Sequence, residues 1–307
     1  MTDQAQPLAS DIRTESWIAR ITPGPLKPFM YLMRLDRPVG VWLLVIPCWW
    51  SIAMAAEGSW PNVVLLALFA LGAIIMRGAG CVMNDIADRD FDGQVARTAT
   101  RPIPAGDVTV REAVLFLGLL GMLGFLILIQ FNLFAIAVGV LSIATVAIYP
   151  YMKRFTYWPQ MFLGISFNWG ALLGWAAVKG ELSAAPGLLY LAGILWTLGY
   201  DTIYAHQDKD DDVLIGIKST ALRLGDATQG WLVFFYGGAL SLIALSGWFA
   251  GLSVWFFPAL LPAALHLAWQ IKSLDINNPK LCLARFKSNR DFGLLVFFAV
   301  IVGQLVR

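Results

Sequence analysis

The chain has 307 residues, 58% of them hydrophobic and 14% charged, with a mean hydropathy of +0.68 and a formal net charge of +2. A water-soluble domain is about a quarter charged, so this composition excludes an ordinary soluble fold and indicates a polytopic membrane protein. The small net charge gives no basis for nucleic-acid binding; two histidines exclude a histidine-rich metal site, and Cys48, Cys81 and Cys282 lack the spacing of a metal cluster or a disulfide framework.

Residues 1–30 are polar and lack the apolar core and cleavage site of a signal peptide. They are expected to form a cytosolic tail, with an amphipathic surface stretch around Trp17–Ile21. Residues 31–307 are expected to form a single transmembrane domain. A spanning helix needs about 20 mostly apolar residues. Nine segments qualify: 39–56, 63–81, 113–130, 133–149, 161–178, 186–204, 230–250, 254–271 and 292–306. Pro47 and Pro262 fall inside the first and eighth, where each is expected to kink its helix or be accommodated by neighbouring helices. Gly118, Gly121 and Gly124 recur at a spacing that lets helix backbones approach closely.

Lysine and arginine set the orientation. With the N-terminus cytosolic, 19 of them fall in cytosolic segments, and only Lys179 and Arg307 fall outside; Arg77 lies within a span. The outer loops are short. The inner loops after the second and sixth spans are long and acidic, at 84–106 and 201–225. The two occupy equivalent places four spans apart, which suggests a pseudo-repeat and two halves of one cytosolic-face site.

Asp85, Asp88 and Asp92 fall within about 60° of arc if helical. Asp201, Asp208 and Asp212 fall within about 40° on the same geometry. Each set is expected to form a carboxylate stripe on a helix that continues past the membrane edge. A single such stripe is more simply a solvated acidic face; two in equivalent loops point to a hard cation. Mg²⁺ takes one or two carboxylates, waters and phosphate oxygens. Cations accompany both stripes. Arg77 lies two turns before Asn84, with Asp85 or a bound anion as its expected partner. Arg97 and Arg101 flank a threonine-rich turn, Tyr149 precedes Lys153 and Arg154 by one turn, and Lys218 follows the second stripe. A lone Lys153 would read as a positive-inside anchor. Acids and bases converging on one face are what a metal–diphosphate requires.

At these residues the sequence resembles the UbiA superfamily of intramembrane aromatic prenyltransferases. NDxxDxxxD is matched at Asn84, Asp85, Asp88 and Asp92, DxxxD at Asp208 and Asp212 with Asp201 upstream, and YxxxK at Tyr149 and Lys153. The strings MRLDRPVG (33–40), MRGAGCVMND (76–85), YPYMKR (149–154) and YDTIYAHQDKDDDVLIGIKST (200–220) resemble the branch of the superfamily that prenylates 4-hydroxybenzoate for ubiquinone biosynthesis. The resemblance covers nearly the whole chain. It implies an all-α bundle of nine helices around a central cavity, capped by two cytosolic Asp-rich loops, in a bacterial inner membrane. The implied substrates are a polyprenyl diphosphate and 4-hydroxybenzoate.

The implied reaction uses Mg²⁺ held by Asp85, Asp88 and Asp92 and by Asp208 and Asp212. Arg77, Arg101, Lys153 and Arg154 would balance the remaining diphosphate charge. Arg34 and Arg154 are the candidates for the acceptor's carboxylate. Asn84, Arg97, Asp201, Tyr149 and Lys218 complete the expected substrate-binding set. The bilayer is the solvent for the prenyl tail, and aromatic faces could stabilise a cationic centre.

Two other classes fit the residues less well. The CDP-alcohol phosphotransferase pattern is matched at Asp92, Gly93, Ala96, Arg97 and Gly106, but Arg89, Val110 and Val114 stand at three of its four ligand positions. A secondary transporter would place its ionisable groups near mid-membrane on broken helices, whereas these acids cluster at one face.

Overall fold

The computed structural model describes residues 17–93, 98–207, 209, 213 and 216–306, and among these the regular structure is entirely helical. In chain order the helices are α1 (Trp17–Ile21), α2 (Lys27–Leu32), α3 (Val39–Met54), α4 (Val63–Asp92), α5 (Val110–Leu128), α6 (Leu133–Ile148), α7 (Met152–Phe155) and α8 (Pro159–Phe167). They continue as α9 (Trp169–Lys179), α10 (Ala184–Ala205), α11 (Thr220–Leu224), α12 (Thr228–Phe249), α13 (Phe256–Ala259), α14 (Leu261–Lys272) and α15 (Pro279–Leu305).

Local chemistry sets several ends. At α5 the Thr109 N–H donates to Glu112 Oε2 (2.8 Å) while the Glu112 N–H donates to Thr109 Oγ1 (3.2 Å), a reciprocal capping box. Asn132 caps α6 by accepting from the Ala135 N–H at 2.9 Å. Gly180, at φ +72°, closes α9.

Helix covers the body of each of the nine apolar segments. Among the described residues, six stretches are long and apolar enough to cross a membrane, and α3 is a shorter apolar helix. The count of nine spans therefore stays an expectation. Two segments are interrupted. The break between α8 and α9 falls at Asn168, whose Nδ2 donates to the Gly164 carbonyl at 2.8 Å and competes with the helix ladder. The other falls at Leu260, just before Pro262, so this proline opens α14 instead of kinking a continuous helix. Pro47 sits inside an unbroken α3.

Two compact units emerge from the contacts: Met1–Gly40 with Gly72–Leu126, and Val41–Leu71 with Ile127–Arg307. In the first, Leu32, Met33, Ala79, Val82, Val108, Ala113 and Leu120 form the core, and the Phe29 and Phe116 rings meet edge-on at 5.0 Å. Lipid tails are as apolar as leucine, so helices associate in a bilayer through close packing. Gly78 shows this: a Cβ there would collide with the Met33 side chain.

In the second unit Trp50, Trp196 and Phe292 are fully buried and in mutual ring contact. Their polar edges are matched: Trp50 Nε1 donates to the Gly293 carbonyl and Trp196 Nε1 to Asn289 Oδ1, both at 2.8 Å. Tyr236 OH donates to Gln270 Oε1 at 3.0 Å. These bonds join α3, α10, α12, α14 and α15 where no water can satisfy the groups.

Candidate active site

The first acidic stretch belongs to the first unit. α4 runs 30 residues without interruption, so the polar turns from Asn84 to Asp92 continue the apolar helix. Asp85, Asp88 and Asp92 are 1%, 7% and 8% exposed. That burial decides against a solvated acidic face. Buried carboxylates need partners, and two arginines supply them. Arg34 donates to Asp85 Oδ1 at 2.7 Å, and Arg101 donates to Asp92 Oδ2 at 2.7 Å and to Asp85 Oδ1 at 3.4 Å. Thr98 Oγ1 donates to the Asp92 carbonyl at 2.7 Å, which satisfies the last turn of α4.

Arg34 reaches Asp85 from an unusual backbone. Its φ is +58°, the left-handed region. The Arg34 N–H donates to the Tyr31 carbonyl (3.0 Å) and the Leu35 N–H to the Met30 carbonyl (3.3 Å). These bonds close α2 in the Schellman manner, with arginine where glycine is usual. A side chain there costs about 1–2 kcal/mol, and the buried ion pair is the compensating contact. The acceptor carboxylate is the expected partner of Arg34; in the structure its guanidinium engages Asp85.

Arg77 lies within α4. Its NH1 donates to Cys81 Sγ at 2.6 Å, and its Nε side packs on Gly40, where a Cβ would collide with it. These contacts were not anticipated. Arg97 lies outside the described residues. Burial pushes the Asp92 carboxyl above the ordinary carboxylate value; Arg101 pulls it down, and Asp85 and Asp88 add to the rise.

The second acidic stretch belongs to the second unit. Asp201 sits near the end of α10, after the buried Tyr200. Asp208 and Asp212 lie outside the described residues. The expectation that one helix carries Asp201, Asp208 and Asp212 is corrected: α10 ends at Ala205, with a turn at His206 and Gln207. The physical reason is that an aspartate run at a helix C-terminus opposes the helix dipole. The turn is tied by His206 Nε2 to Thr228 Oγ1 (2.9 Å) and by Gln207 Nε2 to the Tyr204 carbonyl (3.1 Å). Burial pushes the His206 imidazole down to about 4, with Lys209 adding to the fall and Asp226 opposing it, so His206 is neutral.

The expected bases of this unit come from two distant parts of the chain, Lys153 with Arg154 and Lys218, and a backbone bond joins them. Pro150 ends α6 in a 3₁₀ turn beginning at Tyr149, and the short α7 carries Lys153 and Arg154. The Lys153 carbonyl accepts from the Lys218 N–H at 3.0 Å. The Lys218 ammonium lies 5.5 Å from the Tyr157 ring centre and donates to the Phe155 carbonyl at 3.4 Å. Arg154 lies 5.6 Å from the centre of the Tyr151 ring. Lys209, unmarked by the sequence reading as a site residue, donates to Asn277 Oδ1 at 2.6 Å.

The donors of the first stretch suit a hard cation. Asn84 Oδ1 and Asp85 Oδ2 are buried oxygens with no hydrogen-bond partner among the described residues. Among those residues no three acidic, histidine or cysteine side chains converge tightly enough to hold an ion alone. Asp85 in particular is turned toward two arginines. Such a set is typical of Mg²⁺, which keeps waters and takes substrate phosphate oxygens as ligands.

Comparison with known proteins agrees with this chemistry. The sequence profile of the UbiA prenyltransferase family matches residues 44–301. The human "4-hydroxybenzoate polyprenyltransferase, mitochondrial" is 50% identical over 285 residues, covering 92% of this chain and 77% of the human one. The cattle protein of that name is 49% identical over 292 residues, covering 94% and 79%. Among solved structures, the apo UbiA homolog of Aeropyrum pernix K1 aligns with a TM-score of 0.67 at 24% identity, covering 86% of this chain and 97% of that one. The Archaeoglobus fulgidus UbiA homolog bound to GPP and Mg²⁺ aligns with a TM-score of 0.65 at 17% identity, covering 89% and 99%. At those identities the two structures show a shared fold.

Proposed function

The chain belongs to the UbiA prenyltransferase family, and from that premise we propose that it transfers a polyprenyl group from polyprenyl diphosphate to the ring carbon ortho to the hydroxyl of 4-hydroxybenzoate. This is the ring-prenylation step of ubiquinone biosynthesis. The full-length relatives named for that activity support the acceptor. The observation in this chain that carries the reading is the burial of Asp85, Asp88 and Asp92 on one helix beside Arg34 and Arg101.

In the reaction the allylic C–O bond of the donor breaks, and its electron pair leaves with the diphosphate. The allylic carbon bonds to the ring, and the ring carbon gives up its proton to a carboxylate or to the released diphosphate. Bound Mg²⁺ would stabilise charge developing on the leaving diphosphate. Asp88 and Asp92 in the first stretch, and Asp208 and Asp212 in the second, are assigned to hold it, with Asn84 Oδ1 and Asp85 Oδ2 as further oxygen donors. Arg101, already beside Asp92, and Lys153 are assigned to diphosphate oxygens. Arg77, Arg97, Arg154, Tyr149, Asp201 and Lys218 complete the proposed substrate-binding set. The apolar helices hold the prenyl tail and exclude water from the electrophilic carbon.

We place the active face on the side of the positive loops and the protein in a bacterial inner membrane. The relatives cited above are mitochondrial by name, and membrane fractionation of the native host decides the location.

The test is transfer of radiolabelled 4-hydroxybenzoate into organic-extractable product by membranes containing the protein. Polyprenyl diphosphate is supplied with Mg²⁺ or with EDTA, for wild type and Asp88→Ala. Product is expected only with Mg²⁺, and kcat/KM is expected to fall by about 100-fold or more in the variant. Equal product from Asp88→Ala would sink the assignment.

A further inference from the structure

We propose that Arg285, stacked on Trp269 where α14 and α15 meet, binds the phosphate of an anionic phospholipid headgroup. The site does not depend on the prenyl-transfer reading, and all of its residues belong to the second unit. The Arg285 guanidinium lies 4.0 Å from the centre of the Trp269 ring. Its Nε donates to Ser273 Oγ at 2.7 Å, and the Ser273 hydroxyl in turn donates to the Trp269 carbonyl at 2.6 Å. Lys272, exposed and three residues beyond Trp269, adds a second positive charge.

The two helices are fixed beneath this stack. Gln270 Nε2 donates to Ser288 Oγ at 3.0 Å, and the Ser288 hydroxyl donates to the Arg285 carbonyl at 2.8 Å. The guanidinium is thus held by a ring face and a hydroxyl, and neither neutralises it. Among the described residues its two terminal nitrogens make no hydrogen bond or ion pair. Arg290, one and a half turns on, is the contrast: it spends its fork on Asp291 Oδ1 at 2.8 and 2.7 Å. An arginine laid flat on a ring, with one edge engaged and the other edge open, is preorganised to grip two oxygens of one phosphate.

Position names the class of anion. Trp269 stands in the last turn of α14, at the end of the apolar segment 254–271, and is 45% exposed. Tryptophan at such a boundary sits at the level of the lipid headgroups, and stacking sets Arg285 at that level. Residues 272–291 carry five cations (Lys272, Lys280, Arg285, Lys287 and Arg290) against Asp275 and Asp291, a net charge of +3. A segment of that charge at the membrane edge is drawn to an anionic leaflet. The loop lies at the α10 C-terminal end of the unit, because Lys209 donates to Asn277 Oδ1 at 2.6 Å. A phospholipid supplies both partners that the site lacks: a phosphodiester for the open fork, and an apolar chain for the uncovered part of the Trp269 ring.

The test uses the full chain in uncharged detergent micelles as wild type, Arg285→Gln, Arg285→Lys, Trp269→Leu and Arg290→Gln. Phosphatidylglycerol, phosphatidylcholine and inorganic phosphate are titrated separately, and bound lipid is counted by native mass spectrometry. Wild type is expected to bind phosphatidylglycerol about 10-fold more tightly than phosphatidylcholine, the worth of one charge-assisted hydrogen bond. Arg285→Gln is expected to bring that ratio near one. Arg285→Lys should recover only part of it, because an ammonium has no planar fork. Arg290→Gln should leave it unchanged. Should Arg285→Gln fail to fold, Trp269→Leu carries the test, with the ratio expected to fall about 3-fold while the charge is kept. A wild-type ratio near one, an unshifted ratio in Arg285→Gln, or an equal loss in Arg290→Gln would overturn the site. Inorganic phosphate binding as tightly as phosphatidylglycerol would overturn the lipid as its occupant. Each of these outcomes leaves the prenyl-transfer reading untouched.

Discussion

In the first acidic stretch Arg34 and Arg101 lie on Asp85 and Asp92 at 2.7 Å, whereas in the second Lys209 lies on Asn277 at 2.6 Å and Lys218 over the Tyr157 ring. The two stretches have similar composition and equivalent places in the chain. They differ in what carries them. Asp85, Asp88 and Asp92 sit on a continuous helix that buries them, so each exposed-to-buried transfer of charge must be met nearby by an opposite charge. The second stretch begins in the last turn of α10, which ends at Ala205, and of its described cations Lys209 and Lys218 are held by neutral oxygens and a ring face. The lesson, among the described residues, is that acids buried on a helix draw arginines onto themselves, whereas Lys209 and Lys218 rest on neutral oxygens and a ring face.

The largest effect should come from breaking the pairing. Removing one partner of a buried ion pair costs about 3–5 kcal/mol, because the other charge stays buried. Arg34→Ala is expected to lose stability on that scale, measured by denaturant or thermal unfolding in nanodiscs. Arg34→Gly should lose about 1 kcal/mol less, since glycine carries no penalty at positive φ. In the double variant Arg34→Ala/Asp85→Ala the losses should fall well short of the sum. Additive losses would mean that the pair is not the design principle of the first stretch.

A smaller effect tests the packing beneath it. Gly40→Ala places a methyl group against the Arg77 guanidinium. Overpacking of this kind costs about 1–3 kcal/mol, and the displaced arginine should lower prenyl transfer with it. Unchanged unfolding and activity would show that Arg77 has room to move.

The smallest effect is an ion pair outside both stretches. Glu57 pairs with Lys179, and that contact holds its carboxyl below the usual value. Any stabilisation is therefore present above the ordinary glutamate pKa of 4.5 and is lost as pH falls through the lower folded value. Because Glu57 is fully exposed, solvent screens the pair. Glu57→Gln is expected to leave the melting temperature unchanged between pH 5 and 8. A clear drop would break the contrast between buried and exposed pairs.

By itself the sequence determined the helical membrane class, the body of each apolar helix, and the residues of both acidic stretches. It could do so because hydropathy and the 3.6-residue period are local properties, and Asp85, Asp88 and Asp92 share one face of α4 for that reason alone. The tertiary structure alone decided the partners. Arg34 and Asp85 are 51 residues apart and Lys209 and Asn277 are 68 apart, distances over which no periodicity carries information. The left-handed turn at Arg34, the breaks at Asn168 and Leu260 and the end of α10 at Ala205 follow the same rule. Each is a local backbone choice whose cost is met by a contact from elsewhere in the fold or by relief of a local electrostatic conflict. Asn277 had no signal of its own in the sequence, because a neutral amide becomes an anchor only when folding brings a charge to it.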